Sequence, residues 1–557
     1  MKKEHLFILL FILFTACTAQ TNVVSPKENR TPKSLNTPPK LVIGIVIDQM
    51  RYDYLTRFYN KYTDNGFKRL VNEGFNCENA HFNYIPTYTA VGHTSIYTGT
   101  TPMHHGIIGN WWYDKFLKKS IYCVDDTNYK TVGSSSDKGN RSSFRMLATT
   151  ITDELHLHQN MNGKVIGIAI KDRSSILPAG HTANAAYWYD GSEEGKWITS
   201  SFYMNELPGW VKQFNNLRKP DEYLSKPWNT LYDINLYTES IVDDNIYEGK
   251  FKGEEAPVFP HDLPKLKLEN EGNELLKATP FGNSFTTDFA KAAIIGEGLG
   301  KDDFIDFLAI SFSSTDYIGH QFGVDAKEIE DTYLRLDKDL ASFFIFLDDK
   351  VGKDNYTLFL TADHAAVQVP SYLEDLKIPS GYFDAKRFKT FINSITLNHF
   401  RSDSLVENIS NFQIFLNKEK ITALNLDIHK VAQTIVDEAI NFDGVYKTVT
   451  AKTLQNTNFT NGVLQLLQNG YNQKFSGDVL VVPNTSTIIR ERTGTTHGSG
   501  YNYDTHVPLF FYGKGIKKGK SQRYIPIIDI APTLSNLLQI SFPNTNTGKI
   551  IEEVMER

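Results

Sequence analysis

The chain has 557 residues, 41% of them hydrophobic and 22% charged, with a formal net charge of −6. That length exceeds one minimal domain, and that apolar share supports a large buried core, which excludes a disordered or fibrous protein. A mildly acidic balance with no Lys/Arg stripe excludes a nucleic-acid partner and leaves any handling of anionic phosphates to a local positive centre of metals and placed cations.

Lys2 and Lys3 open the chain, and Leu6 to Phe14 is an apolar run of nine residues, too short to span a bilayer. Thr15, Ala16, Cys17, Thr18 and Ala19 follow. Residues 1–19 read as a secretory signal peptide, which implies export to the periplasm or cell envelope. Two processing sites compete. Cleavage before Cys17 with a lipid anchor on that residue would give an outer-membrane lipoprotein with a signal ending at 16, although Phe14 stands where Leu is usual. Ordinary cleavage after Ala19 is the other. Residues 20–40, rich in Thr, Asn, Pro and Ser, read as a disordered tether. Cys77 and Cys123 remain in the body of the chain. An oxidising envelope permits a bridge between them, two separate buried thiols fit as well, and neither lies in a metal-type cluster.

From residue 41 onward, continuous apolar runs suit parallel strands covered on both faces. They are Leu41 to Ile47, Val165 to Ile170, Phe304 to Phe312, Tyr356 to Leu360, Val479 to Val482 and Val507 to Tyr512. Amphipathic segments such as Thr332 to Leu347 alternate with them. The alternation predicts an α/β fold, a doubly wound and mostly parallel central sheet flanked by helices. Two stretches, about 188–278 and 372–477, break the pattern and read as insertions capping the sheet edge.

Charged and metal-capable residues follow the strands. Asp48 ends the first, Lys171 and Arg173 follow the second, Asp316 follows the third after a short Ser-Ser-Thr turn, and Asp363-His364 follow the fourth. Open α/β sheets bind ligands beyond the carboxyl ends of their strands, so these groups share one edge. Asp316 and His320 lie four apart, on one face if helical, where both reach one metal. Alone, such a pair is more often a surface pair. His497 sits in Gly494-Thr-Thr-His-Gly-Ser-Gly500, too Gly-rich to be core, so it is solvated or a ligand. With Asp48 these give three carboxylates and three imidazoles, a donor set for two zinc ions. Ile85 to Ser95 places several hydroxyls at a helix start, where free N–H groups and the dipole favour an alkoxide and an arriving phosphate. By itself, Thr87 or Thr89 there reads as a helix cap.

Val46-Ile-Asp48-Gln-Met-Arg51, Pro86-Thr-Tyr-Thr89, His105-Gly-Ile-Ile-Gly-Asn110, Lys171-Asp-Arg173, Ser314-Thr-Asp316-Tyr-Ile-Gly-His320, Ala362-Asp363-His364 and Gly494-Thr-Thr-His497 occur in this order. Together they resemble the alkaline phosphatase superfamily, nearest its flavobacterial phosphate-irrepressible enzymes and related to the nucleotide pyrophosphatase/phosphodiesterases, over residues 41–557. The resemblance implies a zinc-dependent phosphomonoesterase, broad in substrate, working through a phosphothreonine. It implies one zinc on Asp316, His320 and His497, a second on Asp48, Asp363 and His364 with the Thr89 oxygen, and Thr89 rather than Thr87 as nucleophile. Asn110, Lys171 and Arg173 would bind the phosphoryl oxygens of small phosphate monoesters. Ala365 departs from the usual Gly after His364, at a position that holds no ligand. His93, His104, His105 and His181 read as packing or hydrogen-bonding residues. A phosphodiesterase shares the metal ligands, Thr and Asn, and the Lys171/Arg173 pair argues against it, because a diester presents one fewer charged oxygen. A sulfatase lacks its Cys/Ser-x-Pro-x-Arg segment here, and a non-catalytic binding protein would have lost a ligand.

Overall fold

The computed structural model describes residues 37–192 and 195–556. The signal peptide, Cys17 and nearly all of the tether lie outside the described residues. Five strands matter below, of which the first four carry the site: β1 (Leu41–Ile47), β2 (Val165–Ala169), β3 (Asp306–Phe312), β4 (Tyr356–Thr361) and β5 (Leu509–Gly513). Each of β1 to β4 is buried along its whole length, as their unbroken apolar sequences require.

These strands belong to a 10-stranded sheet. β1 lies at its middle, parallel to β3 on one side and β4 on the other, and β3 is parallel to β2. Both margins turn antiparallel: β5 against β4, and Lys196–Ser200 against Ala185–Asp190. The expected α/β sheet is therefore present and mixed at its edges. Four helices matter below: α1 (Thr89–Thr98), α2 (Asp172–Ala179), α3 (Ser314–Phe322) and α4 (Lys327–Leu347). The amphipathic stretch from Thr332 falls within α4.

Two strand assignments differ from expectation. Val479–Pro483 leaves the central sheet and joins a 4-stranded antiparallel one with Val406–Ser410, Gln413–Leu416 and Val445–Thr450. Its side chains alternate between two small cores. Val479 and Val481 pack with Phe388, Ile392, Val431 and Ile435, whereas Leu480 and Val482 pack with Leu454 and Leu467. Two thin cores give the same apolar run as one thick layer. The Val507 run is also split by Pro508: His506–Val507 pairs with Ala80–His81, and only β5 enters the main sheet, antiparallel. Segment 188–278 begins inside the sheet, because Ala185–Asp190 and Lys196–Ser200 are two of its strands, next to the edge formed by Thr131–Val132. No helix among the described residues is long and apolar enough to cross a membrane. Cys77 and Cys123 are separate buried thiols.

Candidate active site

The carboxyl ends of β1, β2, β3 and β4 converge. Asp48 leaves β1 with its N–H on Phe312 O at 3.0 Å. Gln49 turns the chain in the left-handed region, at φ 64. Its Nε2 donates to Asp316 Oδ1 at 2.7 Å and its backbone N–H donates to Asp363 Oδ1 at 3.2 Å. One residue at the end of β1 thus holds the carboxylates that follow β3 and β4. Asp316 and His320 are one turn apart on α3, with His320 Nε2 3.1 Å from Asp316 Oδ1. His497 Nε2 reaches the same oxygen at 3.6 Å. His364 Nε2 lies 3.4 Å from Asp48 Oδ1 and 3.5 Å from Asp363 Oδ2.

The three imidazoles share one orientation rule. Nδ1–H of His320 donates to Thr495 O at 2.7 Å, that of His497 to Thr87 O at 2.7 Å, and that of His364 to Ala365 O at 3.1 Å. This fixes the tautomer and turns every Nε2 lone pair toward the carboxylates, the arrangement that orients metal ligands. The rings of His364 and His497 stack at 3.4 Å. Burial drives His364 well below its ordinary pKa and His497 to about 3, so both are neutral.

Charge in this centre is lopsided. Asp48, Asp316 and Asp363 are all buried, and one ammonium serves them: Lys171 Nζ lies 2.7 Å from Asp48 Oδ2 and 2.5 Å from Asp316 Oδ2. Burial, reinforced by the Asp363 carboxylate, raises Asp48 well above the carboxylate range. Burial also pushes Asp363 to about 7. For Asp316, burial is outweighed by His320 and Lys171, and its pKa falls well below normal. Asp48 Oδ1 and Asp363 Oδ2 are buried without a hydrogen bond. Unpaired carboxylate oxygens beside three aimed imidazole nitrogens form a donor set that fits metal ions. Two compact trios are present, Asp316–His320–His497 and Asp48–Asp316–His364, the ligand atoms of each lying within 4.8 Å of one another. The second trio joins Asp316 to Asp48 and His364, and Asp363 Oδ2 lies 3.5 Å from the same His364 Nε2.

Thr89 is the first residue of α1 and 1% exposed, with Oγ1 3.5 Å from His364 Nε2. It does not cap the helix: Tyr88 occupies that position, and no side chain caps the end. Thr87 is turned away, donating to Ser499 O at 2.8 Å. Asn110 Oδ1 accepts from Ala90 N at 2.8 Å, which leaves its Nδ2 hydrogens for another acceptor at the same helix end. Arg173, two residues beyond Lys171, donates through Nη1 to Tyr122 Oη at 3.0 Å.

His93 is engaged at both nitrogens, by Thr89 O at 2.8 Å and Ser311 Oγ at 2.9 Å. His105 bonds Ser95 Oγ and Ile107 N, and His181 bonds Ser143 Oγ and Ala148 O. Sequence reasoning did not find Gln49, Tyr122, or Asp504, whose Oδ2 holds Gly498 N and Ser499 N and so shapes the His497 loop. The only available signal was Gln49 beside Asp48.

A family model for type I phosphodiesterases/nucleotide pyrophosphatases matches residues 42–507. The alkaline phosphatase PhoV of Synechococcus elongatus is 45% identical across 100% of both chains. The alkaline phosphatase PafA of Elizabethkingia meningoseptica is 43% identical, covering 95% of this chain and 96% of its own. A protein named calcium-transporting ATPase from Myroides odoratus is 48% identical over 93% of this chain and 95% of its own. The crystal structure of wild-type PafA superposes with a TM-score of 0.90 at 42% identity, covering 93% of this chain and 99% of PafA. A further PafA structure carries replacements at a threonine, an asparagine, a lysine and an arginine. The first two are 21 positions apart and the last two 2 apart, the spacings of Thr89 to Asn110 and Lys171 to Arg173. Fold, site and relatives agree that the chain belongs to the type I phosphodiesterase/nucleotide pyrophosphatase family and, within it, groups with the alkaline phosphatases.

Proposed function

We propose that the chain is an exported, zinc-dependent phosphomonoesterase that passes the phosphoryl group through Thr89. The observation that carries this reading is the convergence of three buried carboxylates and three carbonyl-oriented imidazoles on the hydroxyl at the start of α1, with Lys171 and Arg173 beside them. Asp316, His320 and His497 would hold one zinc, and Asp48, Asp363 and His364 with Thr89 Oγ1 the other, Asp316 standing near both. Bound there, the two ions would supply Lewis-acid stabilisation of the entering and leaving oxygens and lower the pKa of a hydroxyl or water.

The chain's own groups do the rest. Thr89 Oγ1 releases its proton to water and forms the new bond to phosphorus as the P–O ester bond breaks, and the leaving oxygen takes a proton from water. Water then attacks the phosphothreonine, freeing Thr89 and inorganic phosphate. Asn110 Nδ2–H and the α1 N-terminus orient the phosphoryl oxygens. Arg173 offers a planar fork to two of them, and Lys171 supplies a point charge. A dianionic monoester gains more from both cations than a monoanionic diester does.

The matched family model keeps a phosphodiesterase in contention, and the Myroides relative's name adds ATP, whose terminal phosphoryl group is held by an anhydride but, like a monoester's, carries a single substituent. Purified zinc-loaded chain is therefore compared on p-nitrophenyl phosphate, its methyl diester and ATP. kcat/KM is expected to be higher for the monoester than for its diester. A higher value for the diester overturns the monoesterase reading.

A further inference from the structure

The phosphate-binding role of Arg173 poses a geometric problem. Its side chain is long, and among the described residues it forms no ion pair with a carboxylate. A free guanidinium loses rotamer entropy when it engages a phosphoryl group, whereas one paired with a carboxylate has its charge compensated before substrate arrives.

Tyr122 resolves this. It ends a two-stranded hairpin, Trp111–Asp114 with Lys119–Tyr122, in which Trp111 lies opposite Tyr122. Cys123 N donates to Asn110 O at 3.0 Å just beyond that pair, so Asn110 and Tyr122 leave the hairpin at the same end. The Tyr122 hydroxyl is buried between two partners. It donates its hydrogen to Asp172 Oδ1 at 2.5 Å and accepts from Arg173 Nη1 at 3.0 Å. A phenol carries one hydrogen, and with that hydrogen on the carboxylate its lone pairs face the guanidinium. Asp172 is held in turn: Oδ2 accepts from Arg141 Nε at 2.8 Å, and Arg141 Nη1 pairs with Asp125 Oδ1 at 2.7 Å. The Arg141 guanidinium also lies over the Tyr122 ring, 5.4 Å from its centre.

The carboxylate thus stands one residue behind the phenol. It orients Tyr122 without pairing with the Arg173 side chain. Among the described residues one of the five Arg173 N–H donors finds an acceptor, and Nε–H is buried without one. We propose that Tyr122, oriented by Asp172 and Arg141, is a positioning residue that presents Arg173 to the phosphoryl group anchored but with its charge uncompensated. This inference rests on the phosphate-binding role given to Arg173 above.

The test uses metal-loaded full-length protein. Tyr122→Phe is expected to lower kcat/KM for p-nitrophenyl phosphate about tenfold, the effect of losing one hydrogen bond to a charged group. It should raise the inhibition constant of inorganic phosphate by a similar factor and change the methyl diester less than about twofold. Arg141→Ala, farther from the site, should move the same ratio in the same direction, which keeps the test alive if Tyr122→Phe folds poorly. In the double variant with Arg173→Ala, Tyr122→Phe should add no further loss. Equal losses on monoester and diester, or full additivity with Arg173→Ala, overturn the inference. If Arg173→Ala itself leaves the monoester-to-diester ratio unchanged, the monoesterase reading fails first and this inference falls with it.

Discussion

Gly92 offers a test of how tightly α1 must seat against the end of β4. It lies one turn beyond Thr89, and a Cβ built on it would meet Asp363 O at 2.1 Å, Asp363 C at 2.8 Å and Asp363 Cα at 2.9 Å. All three are backbone atoms of a strand end, so no rotamer change relieves the clash. A carbon–oxygen contact needs about 3.3 Å, and Gly92→Ala must therefore open this interface by about 1 Å. The substitution gains about 1 kcal/mol of helix propensity, against about 1–3 kcal/mol for overpacking, so net destabilisation stays below about 2 kcal/mol. Catalysis is more exacting. Thr89 Oγ1 is 3.5 Å from His364 Nε2, and His364 follows Asp363 directly. A misplacement of about 1 Å between reacting groups costs on the order of 100-fold in rate. Steady-state kinetics of zinc-loaded Gly92→Ala, beside its thermal midpoint, should show a large fall in kcat with the fold retained. Turnover within threefold of wild type would refute the claim that α1 and β4 fix the geometry of Thr89.

Removing Gln49's amide in Gln49→Ala frees Asp316 and is expected to weaken metal retention, read as a lower chelator concentration for half-inactivation; an unchanged value contradicts the role given to Gln49. Chelation of the whole enzyme should abolish turnover and lower the melting temperature, since ligand at a thousandfold its Kd stabilises by about 4 kcal/mol per site. Added zinc should restore both, and a melting temperature indifferent to chelator would count against a buried metal centre. His261, away from the site, is buried between Glu254 Oε1 at 2.7 Å and Glu328 Oε1 at 3.1 Å. Burial lowers its pKa, but hydrogen bonds to Glu254 and Glu328 prevail and raise it to about 9. A raised histidine stabilises fully below its unfolded value near 6.5 and loses that contribution as pH climbs through 9. Glu248, pushed up to about 10 by burial and then by Glu328, keeps its proton in the fold while the unfolded chain ionises near 4.5, so its contribution also falls with pH from there up to about 10. The urea midpoint of metal-saturated protein should fall between pH 6.5 and 9.5, less so in Glu254→Gln; a flat profile contradicts the assignment.

Much of this was legible in the chain itself, for identifiable reasons. β1, β3 and β4 are long apolar runs followed within four residues by Asp48, Asp316 and Asp363, and a strand end is a local feature. His320 was legible because four residues make one helical turn. The opposite holds for contacts that close over long separations. Tyr122 meets Arg173 across 51 positions and Gln49 meets Asp316 across 267, and neither distance leaves a periodic trace. Val479–Pro483 was misplaced because hydrophobicity reports burial on two faces and does not say which layers provide it. The place of Asp316 in two clusters likewise arises from contacts across the fold, with Lys171, Gln49 and His497.

The central claim is that Thr89 carries the phosphoryl group. Metal-loaded enzyme turning over p-nitrophenyl phosphate would be quenched in acid, digested and read by mass spectrometry. One added phosphoryl group is expected on the peptide containing Thr89, localised to that residue and absent from Thr89→Ala, which should also lose turnover. A phosphoryl group on Thr87 instead, or full turnover by Thr89→Ala, would contradict it.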